Sequence, residues 1–284
     1  MNNDLPVSIT IITDCGGSDR GRYEIALQRC FWPQDWKLAF FETESKNTLH
    51  SGFTAAAHVL STISFFGPLR DGERIGIIVN AAPRMGQENG CKLRGRDRHE
   101  EGEEIYGLQL RNGVWVVGPN AGLNLYFLKD EVVDSYLLTD ERGLKTPFRS
   151  MEFMVPALAM LVDVNKFPKI KMTRKDLKVP VSESGIFVAD WDSHGNIYLY
   201  SSLPESQWVP PIGEHVTIRI GNEIARLRHV EGIFAGHTGE QTMTKGSLKL
   251  LGREAIYYIV VVGSEAHSQL RHPPVGTAVV IERD

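Results

Sequence analysis

Cysteine is scarce in this chain. The three present, Cys15, Cys30 and Cys91, are an odd number without C-x-x-C spacing. They argue against a disulfide framework and a cysteine zinc site, and fit a reducing cytoplasm. No apolar run approaches the roughly 20 residues needed to cross a bilayer. The residues before Val7 are acidic and polar, unlike a signal peptide. The expectation is a soluble cytoplasmic protein with no membrane partner. A net charge of −4 offers no electrostatic reason to bind nucleic acid. Catalytic fingerprints are missing as well: there is no Gly-x-Gly-x-x-Gly, Walker lysine, Gly-x-Ser-x-Gly elbow, H-x-x-x-H or H-E-x-x-H. A dinucleotide fingerprint, a P-loop, an α/β-hydrolase and a metal centre are therefore not expected.

Apolar residues at 42% and charged residues at 23% are ordinary for a globular protein, and 284 residues suffice for two domains. The first half alternates apolar runs with helical segments. Val7–Thr13 and Ile75–Asn80 read as buried strands and Leu38–Glu42 as a short one. Arg20–Phe31, Phe53–Phe66 and Met151–Val162 read as helices. That alternation predicts an α/β N-terminal domain with a largely parallel sheet over residues 1–163. A basic, proline-flanked stretch over 164–184 reads as a linker. Beyond it, short alternating strands and the turn dipeptide Gly221-Asn222 predict a small all-β barrel C-terminal domain over 185–284. Residues 87–104 form a polar, highly charged insertion. It reads as a solvated loop, with Arg94, Arg96 and Arg98 as an alternative anion clamp.

The most informative stretch is residues 8–19, where a buried strand enters a glycine turn carrying Asp14 and Asp19 before a helix begins. In α/β sheets such turns open onto the edge where ligands bind. An acid at the strand end is placed to accept the two hydroxyls of a ribose. Asp19 alternatively caps the helix. Cys15 lies where a helix N-terminal field favours a thiolate, but no base is near it in sequence.

Five segments in order resemble the S-adenosylmethionine hydroxide adenosyltransferase and halogenase family, which includes the fluorinases and chlorinases. They are Thr13–Asp19, Phe65-Phe66 continuing to Ala82–Gly86, Val117-Gly118-Pro119-Asn120-Ala121-Gly122-Leu123, Pro147–Glu152 with Pro156-Ala157, and Asp192-Ser-His194-Gly195-Asn196. The resemblance implies S-adenosylmethionine as ligand and substrate, no metal, and a homotrimer with the site at a subunit interface. By position, Asp14 would hold the ribose hydroxyls and Asp19 the methionine ammonium. Asn196 would contact the adenine, Arg253 would pair with the methionine carboxylate, and Gly263 and Ser264 would offer backbone contacts to the adenine edge.

The family reaction displaces methionine from the ribose C5′ carbon, and hydrolytic members orient water with an Asp–Arg–His set. Here the acid position falls on Ala82, or on Asn80 with a two-residue shift, and the histidine position on Arg149. Neither amide nor methyl is a base, and arginine stays protonated. Ser150 matches the halide-contacting serine of the halogenating relatives, with Arg149 adding positive charge. A helix N-cap is the plain alternative for Ser150. The implied function is cleavage of S-adenosylmethionine at C5′ by water or a small anion. The alternative is a catalytically inactive adenosyl-ligand sensor of the same fold.

Overall fold

The computed structural model describes residues 5–16, 19–44, 47–65, 67, 69–81, 104–142, 149–162, 164, 166–179, 184–250 and 254–282. They fall into two compact units, one before residue 180 and one after residue 183.

The first unit is built on seven strands: β1 (Val7–Thr13), β2 (Trp36–Glu42), β3 (Arg74–Asn80), β4 (Ile105–Leu110), β5 (Trp115–Pro119), β6 (Val132–Asp140) and β7 (Ile170–Arg174), in the order β2-β1-β3-β5-β4-β6-β7. β1 runs parallel to β2 and β3, and β3 parallel to β5. From there β4 is antiparallel to β5 and β6, and β6 to β7. The sheet is thus mixed, which overturns the expected α/β domain with a largely parallel sheet. The reason is connection length. Helices separate β1, β2 and β3, but only residues 111–114 join β4 to β5. A parallel crossover needs about a dozen residues or more, so this pair closes as a hairpin. The basic stretch read as linker contains β7, paired with β6 from Tyr136↔Arg174 to Asp140↔Ile170.

Helix α1 (Arg20–Phe31) buries Tyr23, Leu27, Cys30 and Phe31, one face at helical spacing. Between β2 and β3 the chain runs through α2 (Thr48–Phe53), a π-helical segment (Thr54–Leu60) and α3 (Ser61–Phe65). A second π-helical segment, Ser150–Met154, leads into α4 (Val155–Leu161). Val155, Leu158 and Ala159 pack with Ile9, Ile11, Ile78 and Val117 of the sheet to form the core.

The second unit is a closed barrel in the order β10-β11-β12-β13-β9-β8-β14. Its strands are β8 (Ile186–Trp191), β9 (Ile197–Ser201), β10 (His215–Ile220), β11 (Glu223–Val230), β12 (Gln241–Leu250), β13 (Glu254–Val261) and β14 (Ala278–Glu282), with short helices α5 (Glu205–Trp208) and α6 (Ala266–Gln269). This sheet is also mixed, since β11 pairs parallel with β12. Gly221, at φ +59, turns a two-residue hairpin between Ile220 and Glu223. Val188, Ile197, Ile218, Leu227, Met243 and Ile259 fill the interior. Among the described residues no helix is long and apolar enough to cross a membrane.

Candidate functional site

Parallel pairing in the register Thr13↔Asn80 ends β1 and β3 side by side. Their carboxyl ends therefore open on one edge, and the chain leaves β1 there through Asp14, whose N–H is held by the Asn80 carbonyl at 3.3 Å. The side chain of Asn80 turns inward. Its Nδ2 donates to the Tyr23 hydroxyl at 2.9 Å and to Thr13 Oγ1 at 3.2 Å. Thr13 Oγ1 also accepts the Cys15 N–H at 3.1 Å. Tyr23, on the first turn of α1, is fully buried. Burial pushes its ionisation up to about 12, against hydrogen bonds from Ser150, Thr13 and Asn80 that favour the phenolate.

Tyr23 thus gathers residues from β1, β3 and the segment that opens α4. Ser150 is the first residue of the π-helical turn, and its carbonyl accepts the Val155 N–H. The N-cap position belongs to Arg149, which makes no side-chain capping bond, so Ser150 does not serve as the N-cap. Asp19 does occupy the N-cap of α1, but without a side-chain capping bond; its carboxylate pairs with Arg22 at 3.2 Å.

Asp14 and Asp19 both face Cys15. Burial chiefly, and then the two carboxylates, push the Cys15 thiol up, with the Thr13 hydrogen bond opposing them. This overturns the expectation of a field-stabilised thiolate. The edge therefore carries two carboxylates on the turn and a set of neutral hydroxyl, amide and thiol groups beneath it.

The remaining expected contacts lie on the barrel rim. In the turn between β8 and β9, Asp192 accepts the backbone N–H groups of His194 and Asn196 at 2.9 and 3.0 Å, Asn196 Nδ2 at 2.9 Å and the Tyr198 hydroxyl at 3.1 Å. Asn196 is buried by this arrangement. The Gly195 carbonyl accepts the His267 N–H at 2.8 Å, and a Cβ on Gly195 would stand 2.5 Å from that of Glu265. The turn and the segment after β13 are thereby locked together at Gly195, Glu265 and His267. Ser264 is exposed, and its N–H is taken by the Val261 carbonyl at 3.0 Å. Trp191 stacks on His267 with centroids 4.5 Å apart, giving this rim an aromatic surface that sequence reading missed. Arg253 lies outside the described residues, as do Ala82, Arg84, Arg94, Arg96 and Arg98.

Tyr23, Thr13 and Asp192 carry most of this order, yet no site role was read for them. Asp192 had a signal, an Asp-x-x-Gly-Asn turn. Tyr23 had none, because its position depends on α1 packing over the strand ends. The segment Val117–Leu123 proves chiefly structural. Asn120 Nδ2 donates to the Lys178 carbonyl at 2.8 Å, and Leu123 N–H to Thr48 Oγ1 at 3.0 Å. Among the described residues no group of three or more His, Cys, Asp or Glu side chains could hold a metal ion.

No family model matches the chain, and no curated protein matches its sequence. Solved structures do match. An uncharacterized conserved protein from Thermotoga maritima superposes with a TM-score of 0.67 at 17% identity, covering 96% of this chain and 100% of that one. A conserved hypothetical protein from Thermus thermophilus gives 0.57 at 16% identity, covering 98% and 100%. At such identities the likeness is one of fold.

Proposed function

We propose that the protein binds S-adenosylmethionine and cleaves it at C5′ with a small anion, a halide, as nucleophile, releasing methionine. The observation that carries this reading is the group of neutral hydroxyl and amide groups at the ends of β1 and β3, Thr13, Asn80 and Tyr23, with Asp14 on the turn above. On this reading Asp14 accepts the ribose hydroxyls and Asp19 meets the methionine ammonium. The anion's electron pair forms the new bond to C5′ while the carbon–sulfur pair collapses onto the sulfonium sulfur. Neutral methionine thioether leaves without a proton, so the reaction requires neither general acid nor base. Water as nucleophile requires a base, and Asn80 at the strand end is an amide. That feature favours a halide over water. Asn196, Gly263, Ser264 and Arg253 remain the proposed adenine and carboxylate contacts, and assembly as a homotrimer remains part of the reading.

The same amide supports a second reading, an adenosyl-ligand sensor without turnover. Incubation with S-adenosylmethionine, with and without chloride, separates the two by mass spectrometry of the nucleoside products. A chloride-dependent 5′-chlorinated adenosine supports the halide reading. Adenosine alone points to water. An unchanged ligand that binds in calorimetry leaves the sensor.

A further inference from the structure

β7 (Ile170–Arg174) ends the first sheet and pairs on one side with β6. Two hydrogen bonds fix which of its backbone groups are left over. Lys175 N–H donates to the Ser135 carbonyl at 3.1 Å, and Glu141 N–H to the Lys169 carbonyl at 2.9 Å. Each joins residues directly opposite one another in the register that pairs Tyr136 with Arg174 and Asp140 with Ile170. In an antiparallel ladder such hydrogen-bonded pairs alternate with pairs whose N–H and C=O groups point away from each other. Lys171 and Thr173 therefore bond to β6, while Met172 and Arg174 turn their backbone groups outward. Among the described residues no strand takes them up. The side chains along this edge are basic. Residues 166–178 carry Lys166, Lys169, Lys171, Arg174, Lys175 and Lys178 against one acid, Asp176, in a chain of net charge −4. Arg174 is paired with Asp134 and Lys175 with Glu104. The other four lysines are exposed and make no ion pair among the described residues. Side chains alternate across a strand, so Lys169 and Lys171 stand on one face and the exposed Met172 on the other.

We infer that the outer edge of β7 docks an extended acidic segment of a partner protein, added to the seven-stranded sheet as a further strand. Like charges along the edge repel a second copy of the same strand, which is how lysines protect an open edge. The same charges attract a strand of opposite sign. The incoming backbone pairs with the outward groups of Met172 and Arg174, and this ladder supplies affinity. Its acids, at every second residue, meet Lys169 and Lys171, while the apolar residues between them cover Met172; that alternation supplies specificity. A nucleic acid would meet the lysines but has no ladder to offer the backbone groups. This surface stands apart from the adenosyl reading and does not depend on it.

The test is fluorescence anisotropy of a labelled, capped peptide of Glu-Val repeats titrated with the full chain. Three other probes run beside it: the Lys-Val peptide, the Glu-Val peptide methylated on every backbone nitrogen, and a single-stranded DNA oligonucleotide. The variants are Lys169→Glu with Lys171→Glu, and Met172→Pro. Proline suits this position because an edge strand tolerates it where the N–H faces away from the ladder. Circular dichroism verifies folding, and if Met172→Pro fails to fold, the methylated peptide puts the same question to the unaltered protein. The expected result is saturable binding of the Glu-Val peptide. Either variant, methylation of the peptide, or exchange of Glu for Lys should weaken it at least ten-fold. No saturable binding overturns the proposal. Unchanged affinity in the double lysine variant overturns the placement on β7. Equal affinity for the methylated peptide, or for the oligonucleotide, reduces the edge to a general anion surface and overturns strand docking.

Discussion

Gly122→Ala tests how the turn after β5 locks onto α2. Gly122 sits at φ +48, and a Cβ there would lie 2.2 Å from Thr48 Oγ1. That same oxygen accepts the Leu123 N–H at 3.0 Å, so the clash and the hydrogen bond share one atom. Three costs follow. The left-handed backbone costs an alanine about 1–2 kcal/mol. Loss of the hydrogen bond costs about 1 kcal/mol. Overpacking a buried contact costs about 1–3 kcal/mol. Because relief of the clash is what breaks the bond, these overlap, and about 3 kcal/mol is the expected total. For a unit of this size that lowers the melting temperature by about 6–12 °C. Hydrogen exchange of peptides from β1 and β3, followed through urea, reads the first unit alone. Adding Thr48→Ala removes the clashing oxygen, so the double variant should fall at least about 1 kcal/mol short of the summed single losses. A Gly122→Ala protein within about 0.5 kcal/mol of wild type, or strict additivity with Thr48→Ala, would refute the reasoning.

Three further outcomes follow from the same geometry. Burial pushes Tyr23 up to about 12, so its folded form keeps a proton that the unfolded chain releases near pH 10. Its contribution is intact below about pH 10 and is lost as pH rises to about 12, on the order of 2–3 kcal/mol; Tyr23→Phe should flatten this slope in the first unit, and an unchanged slope contradicts the assignment. With its thiol pushed up by burial and by Asp14 and Asp19, Cys15 should alkylate with iodoacetamide more slowly than free cysteine at pH 8, and faster labelling counts against the site geometry. Arg271 holds φ +55, and its exposed side chain forms an ion pair with Glu223, so Arg271→Gly, which keeps the backbone N–H bond to Ser268, should leave the barrel unchanged or stabilise it by up to about 1 kcal/mol. A loss of that size in urea unfolding contradicts this.

The buried strands of the site were legible because their signal is local. Val7–Thr13 and Ile75–Asn80 are apolar runs with both faces covered, and the turn after the first one announces its carboxylates. The hairpin at Gly221-Asn222 was equally plain, since a two-residue turn needs a residue free to take positive φ. Strand direction in the second half of the first sheet was not legible. Helices between the early strands suggested parallel pairing throughout, whereas β4 to β7 are arranged by a short hairpin and by partners far along the chain. β7 was hidden by its own composition: as an edge strand it is exposed along Lys171–Arg174, which reads as a solvated linker. Tyr23 was hidden for the opposite reason. An aromatic on the buried face of a helix reads as core, and only packing shows that its hydroxyl emerges among polar groups. Ser150 was read from a motif match alone, and the contact between α1 and the segment before α4 is one that no spacing encodes.

Calorimetric titration of the full-length protein with S-adenosylmethionine, in parallel with Asp14→Ala, is the most direct test of an adenosyl ligand seated at the ends of β1 and β3. Asp14 is half-buried on an exposed turn, so the substitution should leave the fold intact. The expected result is saturable binding by wild type that weakens at least ten-fold in Asp14→Ala. No heat from wild type, or equal affinity in the two proteins, would contradict the account.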